Sequence, residues 1–313
     1  MINEKIKYSE FVMKWIQYHK QFVKESTYSN YQNIVDNHLS VDFNTLNLDD
    51  FDNIVLQNYV LHKYAAGSVD NGPLAIKSVK DIMVVLKLSL RYAFSQNLLR
   101  SFDLNVKYPR TTSSNSIAIL SNKSICKIVK YIDLNSNQKD VGIMIALLTG
   151  LRIGEICALK YSDINLKTNK ITISKTLQRI YTKANKTKLI ESTPKTNSSF
   201  REIPLSVILK GYIKQTTIKD DNYILSNSLK PVEPRLLRNR FDHILKINKI
   251  QHYKFHTLRH TFATKCIEAK IDYKTISVLL GHSNINTTLN LYVHPNNSQK
   301  KRAINKLTAF MFK

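Results

Sequence analysis

Residues 139–150 read KDVGIMIALLTG, a nearly continuous apolar run closed by a glycine. A helix apolar on every side has no face to offer water, so this segment must be buried, with Gly150 as its C-terminal stop. It is far shorter than the roughly 20 apolar residues that cross a bilayer. The neighbouring text supplies elements to bury it. Ser121 caps a helix through Ile125, Ile128 and Ile132. Next, KITISKTLQRI at 170–180 and SSFREIPL at 198–205 alternate with period two and carry β-branched residues, which predicts strands. From 234 to 294 the helical pattern returns, broken near Lys270 and at Gly281. The final RAINKLTAFMFK sets Ala303, Ile304, Leu307, Phe310 and Met311 on one stripe, a helix for its own domain or for a neighbouring subunit.

The first hundred residues read as a separate all-helical domain. Phe11, Trp15, Tyr18 and Phe22 mark one amphipathic helix, and Ser26 or Thr27 caps a second carrying Tyr28, Tyr31, Val35 and Leu39. Asp49 and Asp50 open a third, with Val55, Tyr59 and His62, that stops at Gly67. A fourth runs from Pro73 through Ile76, Met83, Leu86, Leu90 and Phe94. The text NVKYPRTTSSNSI at 105–117 then replaces periodic apolar residues with Pro, Thr and Ser. The expected organisation is a helical domain at 1–107, a linker at 108–117 and a second domain at 118–313. The fold class is mainly α with a small β-sheet insertion.

Charge narrows the function. With 47 Lys and Arg against 23 acidic residues, the formal net charge is +24, which points to a polyanionic partner. The basic residues interleave with Tyr, Ile and Leu, so they decorate folded surfaces, and nucleic acid outranks a membrane surface. Cys126, Cys157 and Cys266 are isolated and sit in apolar helical patterns, reading as buried reduced thiols of a cytoplasmic protein. The charged start MINEKIKYSE lacks the apolar region of a signal peptide.

At 256–265 the chain reads HTLRHTFATK. In a helix, His256, Arg259 and His260 share one face, opposite Leu258, Phe262 and Cys266. An Arg fork beside an imidazole suits phosphate oxygens, although taken alone the stretch also reads as a solvated basic face. His256 and His260 have the spacing of a zinc helix, with His252 one turn earlier, but Thr257, Leu258 and Arg259 lie between them where a zinc helix carries a glutamate. No metal is expected.

Three further segments change the reading: LLTGLRIGEICALKYSDI at 147–164, LLGHSNINTTLNLYVH at 279–294 and TPKTNSSFREIPL at 193–205. Together with HTLRH they resemble the tyrosine recombinases, or phage integrases. Arg152 with Glu155 fits the family's T-G-x-R-x-x-E, His256 with Arg259 its H-x-x-R, His282 its L-G-H, and Tyr292 its tyrosine about ten residues on. Lys195 matches the family's lysine on a β-hairpin turn. The resemblance is strong over 118–313. Over the first hundred residues it rests on an all-helical region of the size of the family's core-binding domain, and no further arm-binding domain is expected before Phe11.

By that resemblance, Arg152, Lys195, His256, Arg259, His282 and Tyr292 form a catalytic site around one scissile phosphodiester. Tyr292 would attack phosphorus to give a 3′-phosphotyrosyl link, and Lys195 would protonate the leaving 5′-oxygen. The guanidiniums would stabilise the transition state, with no metal and no nucleotide cofactor. His260 matches no catalytic position and reads as a supporting histidine, and Glu155 as an orienting residue. The implied partner is double-stranded DNA bearing a specific recombination site, engaged by a tetramer in which the C-terminal helix is a candidate for docking in trans, in the service of a mobile element or of chromosome maintenance. Lys175, Arg179, Lys183, Lys186, Lys188 and Arg201 suggest a basic hairpin on the DNA backbone, and Arg235, Arg238 and Arg240 a second DNA-facing group. Two alternatives share the fold: relaxation of DNA in the manner of a type IB topoisomerase, and a DNA-binding protein without cleavage.

Overall fold

The computed structural model describes residues 5–67, 72–99, 104–110, 118–135, 137–183, 186–193, 200–214, 220–282, 284 and 297–311. The chain divides into two compact units, Met1–Asn115 with Arg179–Lys188 and Ser116–Gln178 with Leu189–Lys313. The described residues are mainly helical, with two small sheets. None of their helices is long and apolar enough to cross a membrane.

The first unit is built from α1 (Tyr8–His19), α2 (Glu25–Ile34), a π-helical turn at Val35–Leu39 running into α3 (Ser40–Asp42), α4 (Asn53–Ala66) and α5 (Ile76–Ser95). Its core gathers Tyr8, Trp15, Leu39, Leu56, Met83 and Leu86. Local registers depart from the sequence expectation in instructive ways. α1 turns Tyr8, Phe11, Val12, Trp15 and Ile16 inward and leaves Tyr18 exposed, and Phe22, in the 3-10 turn Lys20–Phe22 that follows, is exposed as well. α2 starts at Glu25, so Ser26 is a buried first-turn residue and no cap. In α4, capped by Asp52, the buried stripe is Leu56, Tyr59, Val60 and Lys63, while His62 faces solvent. Lys63 tolerates burial because its Nζ lies 2.8 Å from Asp42 Oδ2, the same oxygen that accepts from Tyr59 Oη at 2.8 Å. The segment 179–188 is held in this unit by Tyr181, whose Oη donates to Asp36 and whose carbonyl accepts from Ser29 Oγ.

The second unit surrounds the long apolar run. That run is α7 (Asp140–Thr149), and Asp140–Leu147 and Thr149 are all buried, as a helix without a polar face requires. Gly150 caps it in the left-handed conformation at φ +67°. Around α7 stand α6 (Asn122–Asn135), α8 (Ile153–Ala158), α9 (Val207–Lys214), α10 (Pro234–Ile247) and α11 (Thr257–Glu268). α12 (Tyr273–Leu280) follows, capped by Asp272 and stopped at Gly281, and α13 spans Asn297–Met311.

A three-stranded antiparallel sheet orders β1 (Ile164–Asn165), β2 (Lys170–Ile173) and β5 (Arg201–Pro204) as β1-β2-β5, with Ile171 opposite both Ile164 and Ile203. A two-stranded ribbon pairs β3 (Thr176–Thr182) with β4 (Lys186–Ser192), a strand that the period-two pattern does not mark. Cys157 and Cys266 are buried, but Cys126 is exposed on α6, whose core stripe is Ile128 and Ile132.

Candidate active site

Three helix termini in the second unit converge and determine where the charges sit. Gly150 ends α7, Arg152 begins α8, and Gly281 ends α12. Helix C-termini leave their last carbonyls without intrahelical partners, and cations complement them. Arginines fill that role here. Arg259, 3% exposed on the first turn of α11, donates from Nη1 to Gly150 O and from Nη2 to Leu280 O, both at 2.8 Å. The two bonds fix its guanidinium plane between the ends of α7 and α12. This burial excludes the solvated basic face as which the stretch also reads when taken alone.

Arg152 is more accessible, its side chain 39% exposed. Nη1 donates to Glu155 Oε1 at 2.8 Å and Nη2 to Gly281 O at 3.3 Å. Glu155 reaches back from the third position of α8 to accept the Arg152 backbone N–H at 2.9 Å, the glutamate half of a capping box. Glu155 is almost fully buried, which by itself would raise its pKa. Hydrogen bonds and charge from Arg201, followed by Arg152, outweigh that and hold it below the usual carboxylate range. Glu155, expected to orient its neighbours, contacts both Arg152 and Arg201.

The two glycines are steric requirements of this geometry. A Cβ on Gly150 would stand 2.5 Å from Phe262 Cδ1, and one on Gly281 2.8 Å from Arg201 Nη1; both residues have positive φ. The glycines of T-G-x-R and L-G-H thus bring helix ends close enough for arginines to bridge them.

The histidines are held neutral. His256, whose residue surface still reaches solvent, precedes α11 and packs edge to face on His260 with centroids 4.6 Å apart. Desolvation by its surroundings, then His260, Arg259 and Arg152, lowers its pKa to about 4. His282, half-buried just past Gly281, is lowered to about 4 by desolvation, then by Arg259, Arg152, Arg201 and His256. At neutral pH both imidazoles are uncharged, and each lies within electrostatic reach of both Arg152 and Arg259. His260 is lowered by desolvation and Arg259.

The structure brings together Arg152, His256, Arg259 and His282. Lys195 and Tyr292 lie outside the described residues. Two residues expected to face DNA do not. Arg201, 7% exposed, donates from Nη2 to Glu155 Oε2 at 3.0 Å and from Nε to Leu279 O at 2.9 Å. Arg240 holds both Asp140 oxygens at 2.7 and 2.8 Å and stacks on Tyr131. Each turns inward because a buried carboxylate demands a counter-charge. Arg179, Lys183, Lys186 and Lys188 are exposed on or beside the β3–β4 ribbon, Arg179 bonded to Thr187 and Lys188 paired with Glu25. Lys175 is half-buried, 3.7 Å from Glu191, while Arg235 and Arg238 are exposed on α10.

Guanidiniums and neutral imidazoles around one point of a mainly helical domain suit a phosphate group, because they offer charge and directed N–H donors to non-bridging oxygens. Family models give the relationship. Residues 119–299 match the phage integrase family and residues 7–64 its N-terminal SAM-like domain, so the chain belongs to the phage integrase family, the tyrosine recombinases. A XerC-like tyrosine recombinase of Caldanaerobacter subterraneus subsp. tengcongensis is 28% identical over 281 residues, 81% of this chain and 70% of that protein. Two further tyrosine recombinases are matched over 46% and 58% of their own length. Among solved structures, Tn1549 transposon integrase in complex with a circular intermediate DNA shares the fold at a TM-score of 0.77 and 21% identity, covering 96% of this chain and 99% of that one. A lambda integrase tetramer bound to a Holliday junction shares it at 0.65 and 16% identity, covering 93% and 78%.

Proposed function

We propose that this tyrosine recombinase performs site-specific DNA recombination, cleaving and rejoining duplex DNA through a 3′-phosphotyrosyl intermediate for integration, excision or resolution. The observation that carries the reading is the accessible Arg152 guanidinium, fixed by Glu155 and Gly281 O beside buried Arg259 and the neutral His256 and His282. A phosphodiester at that point would place its non-bridging oxygens against guanidinium N–H donors held in place before the reaction, so little reorganisation opposes the transition state.

In the cleavage step, Tyr292 Oη forms a bond to phosphorus as the bond from phosphorus to the 5′-oxygen breaks. The phenol proton passes to a nearby imidazole or water, and Lys195 delivers a proton to the departing 5′-oxygen. Attack by a 5′-hydroxyl of another strand reverses these transfers and reseals the DNA, so phosphodiester bond energy is conserved. The scheme uses neither metal nor ATP. Arg179, Lys183, Lys186, Lys188, Arg235 and Arg238 contact DNA backbone or bases. A tetramer on two duplexes performs the exchange, supported by the lambda integrase tetramer on a Holliday junction and by the exposed stripe Ile304, Leu307, Phe310 and Met311 on α13, which suits docking in trans. A mobile element as the host of the reaction is supported by the Tn1549 transposon integrase.

The test uses a nicked duplex drawn from DNA flanking the gene, with EDTA present and no nucleotide. Wild type is expected to form a covalent adduct that mass spectrometry maps to Tyr292, and Tyr292→Phe none. An adduct that persists in Tyr292→Phe, or that requires a divalent cation, refutes the corresponding part of the reading.

A further inference from the structure

Three consecutive carbonyls end α12, and each is taken by a different arginine. Leu279 O accepts from Arg201 Nε at 2.9 Å, Leu280 O from Arg259 Nη2 at 2.8 Å, and Gly281 O from Arg152 Nη2 at 3.3 Å. Arg152 and Arg259 belong to the proposed catalytic set. Arg201 lies on β5, and its side chain is 4% exposed, so it touches no substrate.

We propose that Arg201 is a positioning residue for strand cleavage: it sequesters the Glu155 carboxylate and holds the α12 terminus, so that Arg152 presents its charge to the scissile phosphate. The inference rests on the role proposed above for Arg152.

Electrostatics makes the need concrete. Arg152 and Glu155 alone would form a neutral ion pair, and a phosphate would have to compete with a carboxylate for the same guanidinium. Arg201 changes the balance. Oε1 is shared by Arg152 Nη1 at 2.8 Å and Arg201 Nη1 at 3.2 Å; Oε2 is shared by the Arg152 backbone N–H at 2.9 Å and Arg201 Nη2 at 3.0 Å. Two guanidiniums against one carboxylate leave the trio positive, and the two Arg201 contacts tie both carboxylate oxygens to a buried guanidinium. Gly281 sets the distance, because a Cβ there would stand 2.8 Å from Arg201 Nη1. The turn leading into His282 is therefore packed directly on the Arg201 guanidinium. A lysine lacks the planar fork and cannot hold both carboxylate oxygens and a carbonyl together.

The experiment measures single-turnover adduct formation on the nicked duplex for wild type, Arg201→Lys, Arg201→Gln, Glu155→Gln and Arg201→Gln with Glu155→Gln. Arg201→Gln is expected to slow the reaction by about 100-fold, the scale of losing one charge-stabilising donor. Salt-dependent duplex binding stays close to wild type. Adding Glu155→Gln to Arg201→Gln recovers roughly tenfold, because the uncompensated carboxylate is gone. A methylphosphonate at the scissile position, lacking the non-bridging charge, shrinks the Arg201→Gln penalty. Should Arg201→Gln fail to fold by circular dichroism, the rate of Arg201→Lys and the double variant's recovery relative to it decide instead. Wild-type rates in the Arg201 variants, or a double variant as slow as the product of the single losses, overturn the proposal. A wild type that forms no adduct overturns the underlying role of Arg152 as well, and so is distinguished from failure of the Arg201 inference alone.

Discussion

Replacing Arg240 by Met separates a structural cation from one proposed to contact DNA on the same helix. In the native protein, Arg240 Nε and Nη2 grip the Asp140 carboxylate at 2.7 and 2.8 Å, and the guanidinium lies 5.6 Å from the Tyr131 ring centroid. Asp140 is 1% exposed and the Arg240 side chain 16%. Removing one partner of a buried pair leaves an uncompensated charge and costs about 3–5 kcal/mol. Because Arg240 is partly exposed, water can reach the vacated space, which favours the lower end. For a domain of this size, about 3 kcal/mol corresponds to roughly 6–12 °C in the thermal midpoint of the second unit.

Two assays are needed: thermal unfolding, and duplex affinity as a function of salt. Each lost phosphate contact flattens the slope of log K against log salt by about 0.9. Arg240→Met is expected to lower the midpoint and leave the slope unchanged. Arg238→Met, at an exposed position earlier on the same helix, is expected to do the reverse. Adding Asp140→Asn to Arg240→Met should recover much of the lost stability, since the orphaned charge disappears. A stable Arg240→Met protein with a flattened slope refutes the assignment.

Gly150→Ala forces a left-handed L-residue, about 1–2 kcal/mol, and drives a Cβ to within 2.5 Å of Phe262, about 1–3 kcal/mol more. Its thermal midpoint and its adduct rate should fall together, because the displaced carbonyl anchors Arg259; an unchanged midpoint counts against the packing argument. His256 and His282 should titrate near 4 in the free protein, measured by NMR. With unfolded values near 6.5, unfolding takes up protons between those limits, so stability is lost as pH falls from about 6.5 through 4 and is insensitive to these groups above. Midpoints at 6.5 would show that the surrounding cations and desolvation do not act as described. Phe310→Ser on α13 should leave the monomer folded and shift light-scattering mass toward monomer when DNA is bound, and an unaltered assembly would remove that stripe from the interface.

Much of the site is legible in the amino-acid order, and the reason is local. Gly150 and Gly281 read as helix stops because positive φ favours glycine over other residues, and the positions of Arg152 and His282 just after them follow from chain connectivity. The apolar run at 140–149 announces its own burial, and the β-branched alternation around 170 and 201 announces the sheet. Side-chain partners are another matter. Arg201 and Arg240 look like their exposed neighbours in a basic stretch, yet each turns inward to a carboxylate remote in sequence, 46 and 100 residues away. Lys63 gives no local sign of its burial for the same reason, since Asp42 is what makes that burial tolerable. Cys126 shows the converse: an apolar neighbourhood on the helix does not bury it, because the stripe of α6 runs through Ile128 and Ile132.

By itself, then, the sequence determines the helical and strand periodicities, the stops between elements, the excess of positive charge and the order of the family's motif residues, all of which depend on neighbours along the chain. Only the tertiary structure decides which cations are available to an anion and which are already engaged, how Glu155 is shared between Arg152 and Arg201, and how the end of α12 collects three guanidiniums. Burial and charge pairing depend on groups that folding brings together from distant segments, and no local pattern encodes which carboxylate or carbonyl a given arginine will meet.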